Sequence, residues 1–164
     1  MHSRLRNRPE PNSQLCDDPS DCRRRALDLL SRREHSRLEL ERKLQAKAFT
    51  DDSIHCVLDE LEHSGYLDAD RFTEAFVRMR AAKGQGPVRI RLELTERGIE
   101  SCDEFLADQA YDWFSIASQA RIKRFGRSQP KDYKDKAKQA RFLQYRGFNF
   151  EHINRALEFG DESD

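Results

Sequence analysis

The chain has 164 residues, and its 30 Lys and Arg balance 30 Asp and Glu, for a formal net charge of zero. Charged residues make up 37% of it, well above the roughly 25% of an average globular protein, which predicts the high surface-to-core ratio of an elongated helical array. No apolar run approaches the ~18 residues of a membrane span and no signal-peptide pattern opens the sequence, so a cytoplasmic protein is expected.

Residues 1–21 carry Pro9, Pro11, Pro19 and three early arginines, a composition that predicts a disordered tail. A first helix is expected over 23–33, with Leu27 and Leu30 facing inward. Ser36 begins S-x-x-E with Glu39, a capping box, and opens a helix with Leu40, Leu44 and Ala48 on one stripe. Asp51 is expected to cap a third helix carrying Ile54, Val57, Leu58 and Leu61 and ending at Gly65. In the second set, Asp68 caps a helix bearing Phe72, Ala75, Phe76 and Met79 that stops near Gly84. Pro87 suits the first turn of the next helix, which presents Ile90 and Leu94 and closes at Gly98. Ser101 with Glu104 forms another capping box, opening a helix with Phe105, Leu106 and Ala110. The third set is expected over 113–125, 131–146 with Gly147 as its stop, and a last helix capped by Asn149 with Ile153, Ala156 and Leu157 inward.

β-branched alternation is absent, so the fold is all-α. The middle helices end alike: Leu44-Gln45-Ala46-Lys47-Ala48-Phe49, Leu94-Thr95-Glu96-Arg97-Gly98-Ile99 and Leu143-Gln144-Tyr145-Arg146-Gly147-Phe148. This period marks tandem supersecondary units, each too small to bury its own apolar face. Three three-helix repeats are therefore expected over 22–67, 68–111 and 112–160, forming an elongated, curved array, with an acidic tail over 161–164. The small-then-bulky pair is a C-terminal capping motif. The base before it (Lys47, Arg97, Arg146) serves either the helix dipole or a partner.

Charge is sorted by repeat. Blocks 1–49, 50–75, 76–98, 99–114, 115–147 and 148–164 carry net +4, −7, +4, −5, +8 and −4. Each middle helix lies in a basic block and each third helix in an acidic one, so stacked equivalent helices would present one positive and one negative edge. Such stripes suit a partner with alternating charge, as a nucleoprotein has. Catalytic signatures are missing. Lys83-Gly84-Gln85-Gly86-Pro87 lies between helices and ends in proline, unlike a phosphate cradle. The histidines His2, His35, His55, His63 and His152 show no metal spacing, and no carboxylate sits isolated in an apolar setting. Cys16, Cys22, Cys56 and Cys102 form no C-x-x-C pair and read as buried or incidental thiols, a disulfide or metal role being the alternative. Neither an enzyme nor a cofactor is expected.

The chain resembles the RecX family of bacterial recombinase regulators over 24–157. The resemblance rests on Glu34-His35-Ser36-Arg37-Leu38-Glu39-Leu40 with Lys43-Leu44, on Gly65-Tyr66-Leu67-Asp68 with Arg71-Phe72, and on Lys83-Gly84-Gln85-Gly86-Pro87 running through Arg89-Ile90-Arg91, Glu93-Leu94 and Gly98-Ile99. Asp112-Trp113 and Arg141-Phe142-Leu143 with Tyr145-Arg146-Gly147-Phe148 complete it. Gln85 departs from the pattern, where an aromatic is common. The resemblance implies a monomeric cytoplasmic modulator of RecA, usually an inhibitor. Such a protein lies in the groove of the RecA filament on single-stranded DNA and curbs its ATPase, strand-exchange and coprotease activities in DNA repair and the SOS response. A direct DNA-binding protein and a purely protein-binding scaffold are the alternatives. Candidate partner- or DNA-facing residues are Lys83, Arg89, Arg91, Arg97, Lys123, Arg124, Lys138, Arg141 and Arg146. The acidic Asp59, Glu60 and Glu62 are candidates for meeting basic protein surface.

Overall fold

The structure, a computed structural model, describes residues 16–158, so the first fifteen residues of the expected N-terminal tail and the 161–164 tail lie outside the described residues. Among the described residues there are nine helices and no strand. They form two compact units divided between Leu67 and Asp68.

In the first unit, α1 (Pro19–Arg32) begins four residues before the expected start. The reason is local: Asp18 accepts from the N–H groups of Ser20 (2.9 Å) and Asp21 (3.3 Å), and Pro19 fills the first helical position. The segment just before it is not loose either. Cys16 N–H donates to the Ala48 carbonyl (2.7 Å), Thr50 N–H returns to the Cys16 carbonyl (3.2 Å), and Ser53 Oγ donates to Asp17 (2.7 Å). Residues 16–21 are thus corrected from tail to folded structure. The Ser36 capping box opens α2 (Arg37–Gln45) with both of its bonds formed, Glu39 N–H to Ser36 Oγ (3.2 Å) and Ser36 N–H to Glu39 Oε2 (3.3 Å). Thr50, not Asp51, caps α3 (Asp51–His63) through Ser53 N–H (3.3 Å). The core joins Leu40, Leu44, Phe49, Ile54, Leu58 and Leu61 to Cys22 and Ala26. Leu27 and Leu30 only border it, because the small Cys22 and Ala26 let α1 approach closely.

The second unit contains α4 (Ala69–Ala82), α5 (Pro87–Thr95), α6 (Asp103–Leu106), α7 (Trp113–Phe125), α8 (Tyr133–Tyr145) and α9 (Phe150–Glu158). In α4, Val77 is buried while Met79 is exposed, contrary to the expected stripe. The Ser101 capping box does not form. Buried Cys102 takes the N-cap of a four-residue α6, whose end is fixed when Trp113 Nε1 donates to the Leu106 carbonyl (2.8 Å) and Asp108 turns the chain. Ala110 is consequently an exposed loop residue. Trp113 packs against both the cluster around Phe72, Phe76, Ile90 and Leu94 and the one around Leu143, Phe148, Ile153 and Leu157, joining the second and third repeats.

All three middle helices end in the same double hydrogen bond. Phe49, Ile99 and Phe148 donate five residues back to Leu44, Leu94 and Leu143 (3.4, 3.0 and 3.1 Å). Ala48, Gly98 and Gly147 between them have φ of 63°, 80° and 91°, the left-handed cap geometry. At Gly147 this stop does a second job. Gly86 N–H donates to the Arg146 carbonyl (2.8 Å) and Val88 N–H to the Gly147 carbonyl (3.0 Å). The C-terminus of α8 therefore abuts the N-terminus of α5, and each supplies hydrogen-bond partners that the other's end lacks. Contact is backbone on backbone: a Cβ at Gly86 would lie 2.3 Å from the Gly147 oxygen, and one at Gly147 would lie 2.3 Å from the Arg89 Cβ.

Candidate functional site

The second unit carries a cleft of about 690 Å³ between the end of α4 and the α7 and α8 helices. Arg78, Lys83, Lys123, Arg124 and Arg146 line it, with no acidic residue among its walls. Its floor is made of small and apolar side chains, including Ala81, Ala120 and Ile116. The spacing comes from the helix ends: Lys83 is the C-cap of α4, Lys123 and Arg124 fill the last turn of α7, and Arg146 is the C-cap of α8. These four cations sit where a helix dipole favours them, so local electrostatics concentrate positive charge at one place.

Arg146 is fixed in position. Its Nη1 donates to the Lys83 carbonyl (3.0 Å) and its guanidinium lies 5.1 Å from the Phe142 ring centroid. Phe142 meets Phe125 edge-on at 5.3 Å, and Arg124 and Lys138 each lie 5.9 Å from the Phe125 centroid. Two rings thus carry three cations, each interaction being worth ~0.5–1 kcal/mol at exposed sites. Lys138 and Arg141 lie beside the cleft, bordering a second hollow of about 460 Å³ with Lys134. Asp132 and Asp135 also border it, but they are turned to the chain: Asp132 caps α8, and Asp135 accepts from Lys131 N–H (3.1 Å) and Gln139 (3.2 Å).

The other three candidates are engaged within the protein. Arg89 pairs with Glu93 (3.0 Å), which holds its guanidinium above its ordinary pKa, and donates to the Tyr145 carbonyl (3.3 Å). Arg91 pairs with Asp103 (2.6 Å). Arg97 donates to the Glu93 carbonyl (2.6 Å) and lies 4.8 Å from the Phe76 centroid, where Arg80 also rests at 5.0 Å. Asp59 and Glu62 both bind Arg37 (2.7 and 2.6 Å), and Glu60 binds Arg23 (2.8 Å). Four candidates therefore gather in the cleft, two flank it, and three brace α5. Sequence reasoning passed over Arg78, Lys134 and Tyr145; Arg78 and Lys134 lay in basic blocks, and Tyr145 stood inside the repeated motif.

Among the described residues no group of His, Cys, Asp and Glu is placed to hold a metal ion, and no helix is long and apolar enough to cross a membrane. Burial pushes the Cys22 thiol up to about 11 and raises Cys102 as well, the opposite of an activated nucleophile.

Models of the first, second and third three-helix domains of RecX match residues 22–61, 70–103 and 110–157. Regulatory protein RecX of Halorhodospira halophila (strain DSM 244 / SL1) is 45% identical over 141 residues, covering 85% of this chain and 88% of that one. Regulatory protein RecX of Pseudomonas entomophila (strain L48) is 41% identical over 151 residues, covering 91% and 97%. A crystal structure of RecX from Lactobacillus salivarius superposes with a TM-score of 0.68 at 22% identity, covering 85% of this chain and 94% of that one. A second crystal structure of a regulatory protein RecX gives 0.72 at 22% identity, covering 85% and 71%. With every repeat matched in order and these relatives spanning most of its length, the chain belongs to the RecX family of regulatory proteins.

Proposed function

We propose that this protein is a non-enzymatic cytoplasmic regulator that binds, as a monomer, in the helical groove of the RecA filament on single-stranded DNA. Bound there it inhibits RecA's ATPase, strand exchange and coprotease activity, and so tempers DNA repair and the SOS response. The observation that carries this reading is the cleft: five bases converge on about 690 Å³ with no acid among them. Chemistry of that kind recognises an anionic surface, and in this reading the filament is that surface. Lys83, Lys123, Arg124 and Arg146 make the contact, with Lys138 and Arg141 extending it. Arg89, Arg91 and Arg97 hold α5 in place behind them.

Co-sedimentation with RecA on single-stranded DNA tests the reading, with free RecA and free DNA as controls. The protein is expected to pellet with the filament and to slow ATP turnover only when RecA and DNA are both present. Charge pairing across the interface should make that inhibition weaken steeply with salt. Intrinsic ATPase activity, or no association with the filament, would sink it.

A further inference from the structure

We infer that the outer face of α8 is a binding ridge for single-stranded DNA, on which Tyr145 stacks an unpaired base while Lys134, Lys138 and Arg141 hold the phosphates. This rests on the filament-binding reading and specifies which surface meets the nucleic acid. The four residues step by four, three and four positions, which confines them to an arc of about 60° and a length of about 16 Å along the helix. All are exposed, and the buried Gln139 and Leu143 mark the opposite side. Among the described residues, Lys134 and Arg141 form no ion pair. Lys138 lies 5.9 Å from the Phe125 ring centroid.

Like Tyr133 (87%) and Phe150 (76%), Tyr145 is widely exposed, at 76%. It is nonetheless held: the Arg89 guanidinium lies 5.4 Å from its centroid and donates to its carbonyl (3.3 Å). A cation stripe ending in a fixed, open ring matches a strand that offers phosphates and base faces together. Duplex DNA keeps its base faces stacked inside, so the ring would have nothing to meet. An acidic polypeptide would satisfy the bases, but its carboxylates are repelled by the negative face of the ring.

The test is fluorescence anisotropy of a labelled oligothymidylate with the full chain and no RecA, across a salt series, against a hairpin duplex of equal length. Single strand should bind more tightly than duplex. Replacing Lys134→Gln, Lys138→Gln and Arg141→Gln together should flatten the slope of log K against log salt by about 2, since each phosphate contact contributes ~0.7. Tyr145→Ala should weaken binding on the order of ten-fold while Tyr145→Phe keeps it, a split that separates stacking from loss of structure. Equal affinity for duplex, an unchanged Tyr145→Ala, an equal loss in Tyr145→Phe, or no oligonucleotide binding would each overturn the inference. A protein that pellets with RecA filaments yet ignores the oligonucleotide refutes the ridge and leaves the proposed function standing. Oligonucleotide binding without filament association does the reverse.

Discussion

Gly86→Ala tests whether the second and third repeats are welded backbone to backbone. Gly86 has φ −89° and ψ 165°, a conformation that alanine adopts freely. With open space around it the substitution would stabilise the protein by about 0.4–1 kcal/mol, by narrowing the unfolded ensemble. The site is not open. The new Cβ would lie 2.3, 2.4 and 2.6 Å from the Gly147 oxygen, the Gly147 carbonyl carbon and the Phe148 nitrogen, all backbone atoms that no rotamer change can move. Relief means parting α8 from α5, which gives up the 2.8 Å and 3.0 Å bonds from Gly86 and Val88. At about 0.5–1.5 kcal/mol each, and more where a buried group is left unpaired, the net loss should be about 2–4 kcal/mol. Trp113 is the chain's single tryptophan and packs on both clusters of this unit, so its fluorescence in urea reports the relevant transition. Gly65→Ala in the first unit, followed by circular dichroism because Trp113 lies in the second, is the control: φ is 75° and nothing lies within 4 Å, so only the left-handed backbone penalty of about 1 kcal/mol applies. A Gly86→Ala protein as stable as the parent would refute the weld.

Lys123→Glu with Arg124→Glu should abolish filament association in the co-sedimentation assay while leaving the circular dichroism spectrum unchanged, since both side chains are exposed and the losses are small: helix-dipole terms of about 0.3–1 kcal/mol each and the contact of Arg124 with the Phe125 ring. His35 is buried, its Nδ1–H donates to the Arg33 carbonyl (3.0 Å) and its Nε2 faces Lys43 Nζ (3.1 Å), and burial holds its pKa below the ordinary value. A depressed pKa means the unfolded chain takes up the proton first, so stability is full above the unfolded pKa of about 6.5 and is lost as pH falls through the folded one. His35→Gln should flatten that acid slope in urea titrations of the first unit; an unchanged slope would show that His35 does not carry it. Among the described cysteines, the exposed Cys56 should react with a thiol reagent in the native protein, whereas Cys22 and Cys102 should react only on unfolding. Rapid native labelling of Cys22 would contradict its packing.

What was legible in the sequence was what short-range chemistry decides. Ser36 with Glu39, Asp68, Pro87 and the three helix stops each act within a few residues, and each forms as read. Ser101 with Glu104 had the same local signature and failed, because burying Cys102 and Leu106 and satisfying Trp113 Nε1 fixed the helix elsewhere. The α8–α5 joint was invisible for a different reason. Gly86 and Gly147 meet through backbone atoms, so no side-chain pattern records the contact. Charge was the least legible. Arg121 counts toward the most basic block, yet it is 0% exposed and donates to the carbonyls of Arg127 and Ser128 (3.4 and 3.1 Å).

The base before each helix stop shows how one local cause yields three uses. Lys47, Arg97 and Arg146 occupy the same motif position, where the helix dipole favours a cation. Lys47 is exposed in the first unit. Arg97 is drawn inward because Phe76 lies 4.8 Å away and the Glu93 carbonyl accepts from it, so reversing its charge would attack the packing of α4 on α5. Arg146 has an aromatic partner too, but Phe142 lines the cleft, and the guanidinium that rests on it faces the same space as Lys83, Lys123 and Arg124. Helix electrostatics select the residue type, and the ring packed beneath it decides whether the charge braces the fold or is offered to a partner. Reversal at Arg97 therefore mixes stability with function, whereas Lys123 and Arg124 carry the cleft's charge from an exposed helix end and separate the two.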